Sequence, residues 1–514
     1  MDRKKIFFVT LMSSIAFCLF IIGMFWLIIL TFSSSYNIYW IIFIFSLYFF
    51  NTITSFFVLN SASRITDVKL CWIFVINCLP VIGVFAFYIF GIIPFKKKNF
   101  LQIKEKNKEF LKHENYDFTF EIINSKKTKY SEFLYTYNLE GNPIYQNNKI
   151  DIVHQDKLYK KSIELIRSAK DFIHIQFYII SDCIWYFLLM NELIKKAKEG
   201  VKIKLMYDWV GSHKRFNKKN FSYLRSFGID IQEFNPKTFI KMTSITNFRS
   251  HRKCIIVDNK KCITGGSNIG DEYINLRAKY DNWKDINFLI EGEIVNSINL
   301  RFCNDWINYS NFKNKKDKEF YKDYKIHKAP SQDICQLINS SPELNFANYQ
   351  SLIVSKIDKA KKRVWIYTPY LLIPEEIKNQ LMCSAIKGVD VRIMVPNLPD
   401  DKKFILTFNR NSYEPLLDAN IKVYEYCGFL HAKAIIIDDD EAIIGSNNMD
   451  FRSLIINFET SISVKSKKFN QSIRKEYEND INNSIAINKK FLKRKYNFLN
   501  KISMGFIKII YPLL

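Results

Sequence analysis

His251-Arg252-Lys253-Cys254-Ile255-Ile256-Val257-Asp258 and, later in the chain, His431-Ala432-Lys433-Ala434-Ile435-Ile436-Ile437-Asp438 follow one pattern. In both, Lys lies two positions after His and Asp seven. Each string continues through a polar segment into a second apolar run. These runs end in Gly265-Gly266-Ser267-Asn268 and Gly445-Ser446-Asn447-Asn448, with the last Asn seventeen positions after His in each. A single such string arises easily in a Lys-rich chain. Two copies with matched downstream Gly and Asn point to an internal repeat.

Local chemistry converts the pattern into a site. The runs 254–257 and 434–437 are short, apolar and rich in β-branched residues, which reads as strand. The segments 258–261 and 438–441 are polar and turn-forming, so each copy is a hairpin. Positions i and i+2 of a strand share a face, which sets each imidazole beside an ammonium at the start of a buried strand. The Asn after the returning strand can come back to the same end. Lys and Asn can stabilise charge on phosphoryl oxygens, while an imidazole can attack phosphorus or move a proton. Two facing clusters would supply both a nucleophile and an acid.

Each neutral His needs a partner to fix its tautomer. Asp285, in Asn282-Trp283-Lys284-Asp285, and Glu459, in Asn457-Phe458-Glu459, stand at equivalent places downstream of the two copies. Either acid, taken alone, fits a solvated surface charge as well.

The two copies resemble the paired HKD motifs of the phospholipase D superfamily. The flanking text is similar to that of bacterial cardiolipin synthases: Asn247-Phe248-Arg249-Ser250 before His251, Ile269-Gly270-Asp271-Glu272-Tyr273 after Asn268, Gly428-Phe429-Leu430 before His431, and Met449-Asp450-Phe451-Arg452-Ser453 after Asn448. The likeness runs from about residue 70 to the closing Tyr511-Pro512-Leu513-Leu514. Gly266 stands where the superfamily often has Ser, as it does in cardiolipin synthases. The resemblance implies two α/β halves in one chain and a phosphohistidine intermediate formed on one His, with the other His as acid. It implies no metal and no cofactor. His251 is the nucleophile by analogy, an order that a near-symmetric sequence leaves open. Lys253, Lys433, Asn268 and Asn448 would hold the phosphate. Asp258 and Asp438 belong to the motifs and would order the site. Phosphatidylglycerol would be the substrate, and a membrane-anchored phospholipase or nuclease of the superfamily is the alternative.

Composition sets the remaining bounds. Lys and Arg number 75 against 50 Asp and Glu, a formal charge of +25. That excess suits an anionic partner, either acidic lipid or nucleic acid; abundant Lys, Asn, Ile and Phe allow part of it to be compositional drift. The ten cysteines show no metal-like spacing and read as buried free thiols. Between Lys5 and Arg64 no charged residue occurs. Two transmembrane helices are expected there, over residues 6–32 and 39–60, with a third apolar stretch over 70–95. Lys96-Lys97-Lys98 follows at once and suits anionic headgroups. The flanking charges barely favour cytoplasmic catalytic halves.

The expected organisation is a membrane anchor over 1–98, a lead-in over 99–150, a first half over 151–310, a linker over 311–335, a second half over 336–487 and a basic amphipathic segment over 488–514. Within each half a strand (172–180, 364–370), a helix ending in Gly200 or Gly388, and a second strand (201–207, 389–395) precede the hairpin. The partners expected are phosphatidylglycerol and anionic membrane lipid, with no nucleic acid.

Overall fold

The computed structural model describes residues 37–61, 66–91, 117–125, 130–235, 247–276, 282–310, 325–343, 348–398 and 404–493. They belong to two units, one within residues 1–91 and the other within 92–514. The expected span over 6–32, the Lys96–98 cluster and most of the C-terminal segment lie outside the described residues.

In the first unit, Asn37–Leu59 is one helix of 23 residues. At 1.5 Å per residue it reaches about 34 Å, enough to cross a hydrocarbon core. Its polarity is inverted relative to a soluble helix. Phe45 and Phe49 are 72% and 68% exposed, whereas Asn51 and Thr54 are each 1% exposed. A helix that turns aromatics outward and amide and hydroxyl groups inward suits a lipid solvent. The described part of the stretch 70–95, which ends at Gly91, differs from a single continuous span. It forms the helix Thr66–Cys78, then a shorter helix Pro80–Ala86 that continues as a π-helical turn over Phe87–Gly91. The break falls at Leu79-Pro80, because Pro has no N–H to donate and disfavours helix in the residue before it. Gly83 lets the two helices meet: a Cβ there would come within 2.2 Å of the Val75 carbonyl oxygen. Trp72 and Phe87 close the turn edge to face at 5.3 Å. Neither piece reaches the roughly 20 residues of a simple span.

The second unit contains the repeat. Its first half supplies β1 (Ile144–Val153), β2 (Phe172–Phe177), β3 (Lys202–Asp208), β4 (Asp230–Phe234), β5 (Cys254–Val257), β6 (Lys261–Gly265), β7 (Trp283–Lys284) and β8 (Asn287–Gly292). The second half supplies β9 (Asp333–Ser340), β10 (Arg363–Tyr367), β11 (Leu371–Leu372), β12 (Asp390–Pro396), β13 (Lys422–Tyr426), β14 (Phe429–Leu430), β15 (Ala434–Ile437), β16 (Glu441–Gly445), β17 (Met449–Asp450), β18 (Glu459–Lys465) and β19 (Ser484–Ala486). Fifteen of these form one sheet in the order β19-β13-β12-β10-β15-β16-β18-β9-β1-β8-β6-β5-β2-β3-β4. Read outward from the antiparallel β9·β1 seam, both sides run in the same sense, so the halves are related by an approximate twofold axis. In each half of this sheet three strands are parallel (β2-β3-β4 and β10-β12-β13) and the rest antiparallel, while β11·β17 and β7·β14 form separate parallel pairs. β1 crosses the expected lead-in boundary at 150, and β9 begins within the expected linker.

Helices cover both faces of the sheet. Gln155–Arg167 and Ile184–Lys198 bury Leu158, Leu165, Trp185 and Leu189 against the first half, and Asn348–Lys359 and Glu375–Ile386 do the same for the second with Leu352, Ile353, Ile377 and Leu381. On the opposite face Ile294–Tyr309 and Lys467–Asn482 share one core that draws on both halves, including Phe288, Trp306, Trp365, Phe458 and Tyr477. That shared core joins the halves and sets the geometry of everything at their junction.

Candidate active site

The two HKD hairpins are β5–β6 and β15–β16, each centrally placed in its half. Their glycine ends explain the sequence. Gly265 has φ +152°, and a Cβ there would come within 2.7 Å of the Asn287 backbone; Gly445 has φ +155° and would meet the Thr460 carbonyl oxygen at 2.3 Å. Only Gly fits that close approach to β8 and β18. Asp258 and Asp438 sit at the hairpin turns with φ +51° and +46°. The Asp258 carboxylate accepts from the backbone N–H groups of Lys170, Asp171 and Phe172 at 2.8–2.9 Å. Asp438 receives those of Lys361, Lys362 and Arg363. Both carboxylates therefore hold the entry to a parallel strand at the far end of the hairpin from the His.

The His-bearing ends are built by crossing between halves. His251 N–H donates to the Phe458 carbonyl at 2.9 Å, and Phe458 N–H to the Arg249 carbonyl at 2.9 Å. In the counterpart, β14 pairs with β7, Phe429 N–H donates to the Asn282 carbonyl and His431 N–H to the Lys284 carbonyl at 2.7 Å. Each His thus pairs with the chain just before the other half's acid. The rings follow the backbone. His251 Nδ1 lies 2.9 and 3.0 Å from the two carboxylate oxygens of Glu459. His431 Nδ1 lies 2.7 Å from Asp285. A carboxylate only accepts, so each Nδ1 carries the proton and each Nε2 the lone pair.

The two dyads are not alike. Glu459 also accepts from Ser446 Oγ at 2.6 Å and Ser453 Oγ at 2.8 Å. At the place of Ser446 the first half has Gly266, and a Cβ there would stand 2.1 Å from Asp285 Oδ1. The shorter acid sits closer to its hairpin, and Gly266 makes the room. The unusual Gly is therefore a fit to Asp285.

Lys253 Nζ donates to the His251 carbonyl at 2.6 Å, and Lys433 Nζ to that of His431. Both Lys residues are about 2% exposed. Burial pushes Lys253 down to about 7 and Lys433 down to about 8. Burial also takes His251 down to about 4 and His431 to about 3, with the Lys of the opposite half adding to each shift. Each cluster thus feels the other's ammonium, so the two belong to one site with neutral imidazoles. Burial alone would raise Glu459, but His251 and Lys253 beside it hold it below its ordinary value.

The asparagines differ. Asn268 Oδ1 accepts from Ile179 N–H at 3.1 Å, and its Nδ2 donates to the Tyr273 hydroxyl at 3.1 Å, which leaves one N–H of that amide for a ligand. Asn448 is 5% exposed and its Oδ1 has no hydrogen-bond partner among the described residues.

Several site residues are not evident from the motifs. Tyr178 meets the His251 ring at 5.3 Å, while Tyr273 and Trp283 lie 5.8 and 5.3 Å from His431. Arg252 reaches Thr460 and Asp305, and Arg301 joins Asp305 to Glu343 at 2.8 and 3.0 Å, a buried charge chain running from the first motif into the second half. The counterpart of Arg252 is Ala432, so motif symmetry carries no sign of it. Among the described residues no cluster of His, Cys, Asp and Glu has the arrangement of a metal site.

A duplicated α/β half with paired His–carboxylate dyads and two buried ammonium groups defines a two-lobed enzyme for phosphodiesters. Residues 162–306 and 353–481 both match the family model described as cardiolipin synthase, PLD-like domain, and 49–91 match the phospholipase D-nuclease N-terminal model. The chain belongs to the cardiolipin synthase family of phospholipase D-like proteins. It is 32% identical to the cardiolipin synthase of Alkalihalophilus pseudofirmus, over 87% of this chain and 88% of that one. It is 31% identical to a cardiolipin synthase of Clostridium perfringens, over 86% and 93%. The crystal structure of phosphatidylserine synthase from Haemophilus influenzae superposes with a TM-score of 0.57 at 15% identity, covering 75% of this chain and all of that one, a likeness of fold.

Proposed function

We propose that this enzyme is a cardiolipin synthase that transfers a phosphatidyl group from one phosphatidylglycerol to another. The observation that carries the reading is the crossed pair of His–carboxylate dyads flanked by Lys253 and Lys433, in a chain whose family and relatives are cardiolipin synthases. His251 Nε2 attacks phosphorus, the bond to the headgroup glycerol breaks, and His431, which enters this step as an imidazolium balanced by Asp285 and the anionic phosphodiester, delivers its Nε2 proton to the departing alcohol. The terminal hydroxyl of a second phosphatidylglycerol then gives its proton to His431 and displaces His251 from phosphorus. Cardiolipin and glycerol result, and the number of phosphodiester bonds is unchanged, so no activated nucleotide is required. Lys253 and Lys433 balance the non-bridging oxygens, with Asn268 and Asn448 as further amide donors.

Purified enzyme in phosphatidylglycerol vesicles, without CDP-diacylglycerol, is expected to make cardiolipin and equimolar glycerol, and to continue in EDTA. Phosphatidic acid as the main product would identify a phospholipase, and DNA cleavage without lipid product a nuclease. Loss of activity in EDTA, restored by a divalent metal, would overturn charge balance by lysine.

A pH dependence follows from the two ammonium groups. Burial disfavours the charged form, so each Lys loses its proton as pH rises through about 7 and about 8. Phosphodiester binding then loses its counter-charges. With each Lys required, kcat/KM is expected to fall about tenfold per pH unit for each group titrating, beginning near neutrality. A profile flat to pH 9 would remove the lysines from phosphate binding.

The inverted polarity of Asn37–Leu59 supports membrane association. We read the anchor as multi-pass, with the catalytic halves on the cytoplasmic side. Cys383 and Cys427 are exposed on the second unit. An impermeant thiol reagent should label them only after lysis; labelling in intact cells would place the halves outside.

A further inference from the structure

The helix Ile184–Lys198 carries a feature the reaction does not explain. Ile184, Phe187 and Leu188 are 58%, 46% and 38% exposed. Spacings of three and four residues put them on one face. Further along that exposed face come Asn191, Lys195 and Lys198, so it is apolar only in its first turn and a half. Leu276, 54% exposed, belongs to the same patch: Asp271 accepts from the N–H of Ile184 and Trp185 through its carboxylate and from the N–H of Leu276 through its carbonyl.

The fold does not require this patch. The equivalent helix of the second half, Glu375–Ile386, opens with Glu375 and Glu376, both exposed. Single exposed apolar residues are ordinary, but a cluster is not.

The patch has a basic margin. Asp182, two residues before Ile184, holds the segment 215–220 through Arg215 O, Asn217 N and Asn220 Nδ2. That segment and its approach carry Lys214, Arg215, Lys218 and Lys219, all exposed. Apolar side chains bordered on one side by cations, of which Arg215 is paired with Glu272 and the three Lys have no ion pair among the described residues, match an anionic bilayer surface, where the one set enters the acyl boundary and the other meets phosphates.

The patch also lies close to the reaction. Tyr178, against the His251 ring, and Ile184 are six residues apart, at most about 22 Å of chain. Asp271 stands between Asn268 and Tyr273, which flank the phosphate site.

We propose that the first turn of Ile184–Lys198, with Leu276 and the Lys214–Lys219 segment, is an interfacial docking surface that seats the first catalytic half on anionic lipid and brings the substrate headgroup to the His pair. The proposal rests on the reading of the substrate as a membrane phospholipid. It predicts that a docking defect is visible only when substrate must be taken from a bilayer.

The test compares two substrates of one headgroup in the full-length enzyme. The variant I184S/F187S/L188S is expected to lose at least tenfold in rate on phosphatidylglycerol vesicles. It should stay within about twofold of the parent on dihexanoyl-phosphatidylglycerol dissolved as monomers, which also reports that the variant is folded. K214Q/K218Q/K219Q should show the same split, with a loss on vesicles that shrinks as neutral lipid replaces phosphatidylglycerol. Equal losses on both substrates, or no loss on vesicles, would overturn the docking surface. Failure of the parent enzyme on both substrates would instead overturn the lipid reading itself.

Discussion

Alanine at His251 is expected to lower cardiolipin formation by about four to six orders of magnitude, and alanine at His431 by a comparable amount, with the double variant little worse than either. Members of one catalytic unit are non-additive because each step needs both. The two losses differ in kind. If His251 attacks phosphorus, removing it abolishes the covalent intermediate whatever the leaving group. If His431 protonates the departing alcohol, its absence matters little for a leaving group that needs no proton. Phosphatidyl p-nitrophenol supplies that case. The H431A enzyme should release one equivalent of p-nitrophenolate in a burst and retain a labelled phosphatidyl group, while H251A should do neither. The opposite pattern would exchange the two roles, and the local geometry gives reason to test it, since both rings present a lone pair at Nε2 and both are neutral. Neither variant bursting would argue against a covalent route.

Much of this site is legible from the chain because the repeat supplies its own comparison. The matched His, Lys, Asp and Asn positions give the hairpins, which the structure has, with His251 to Lys253 and His431 to Lys433 standing just before β5 and β15 rather than within them. Asp285 and Glu459 are recognisable as equivalent, because each precedes a strand-like run. What no local reading supplies is their crossing. Residues 208 positions apart, His251 and Glu459, meet only because β9 and β1 join two half-sheets edge to edge. β1 itself has a mixed polar sequence, Ile144-Tyr145-Gln146-Asn147-Asn148-Lys149, and reads as a lead-in. It becomes a central strand through long-range partners: Asn148 binds the carbonyl of Asp333 and accepts from Ile294 N–H. Arg252 shows the same limit. Between His and Lys it looks like a surface cation, yet it is 3% exposed and paired with Asp305. The apolar run from Leu70 to Gly91 is broken for a local reason instead. Its hydropathy is continuous, but Pro80 and Gly83 fold it back on itself.

The crossing makes the second large prediction. Glu459→Gln keeps the volume of the side chain and alters one atom, yet it should disable the His of the other half. The native carboxylate accepts from His251 Nδ1–H, which leaves the lone pair on Nε2 where phosphorus arrives. A glutamine amide turned toward Nδ1 donates instead, so the proton moves to Nε2 and the nucleophile is lost. The loss expected from a wrong tautomer is about 10³–10⁴ in kcat, with little change in KM for phosphatidylglycerol. Ser446 donates to Oε2 and Ser453 to Oε1, and His251 Nδ1 lies within 3.0 Å of both oxygens, so a glutamine sets its NH2 against the ring in either orientation. Asp285→Asn changes His431 in the same way: the Ile286 N–H donates to Asp285 Oδ1, so an asparagine keeps its oxygen on that donor and turns its NH2 toward His431 Nδ1, which lies 2.7 Å from Oδ2. Its cost with phosphatidylglycerol is expected to be comparable, because His431 must give and take a proton at Nε2, but it should spare the burst with phosphatidyl p-nitrophenol that Glu459→Gln abolishes. Equal losses in both variants, each with its burst intact, would mean that the acids anchor the junction of the halves rather than set the tautomers. In that case thermal unfolding should move by several degrees in both, whereas a change of tautomer in a preserved site should leave it nearly where it was.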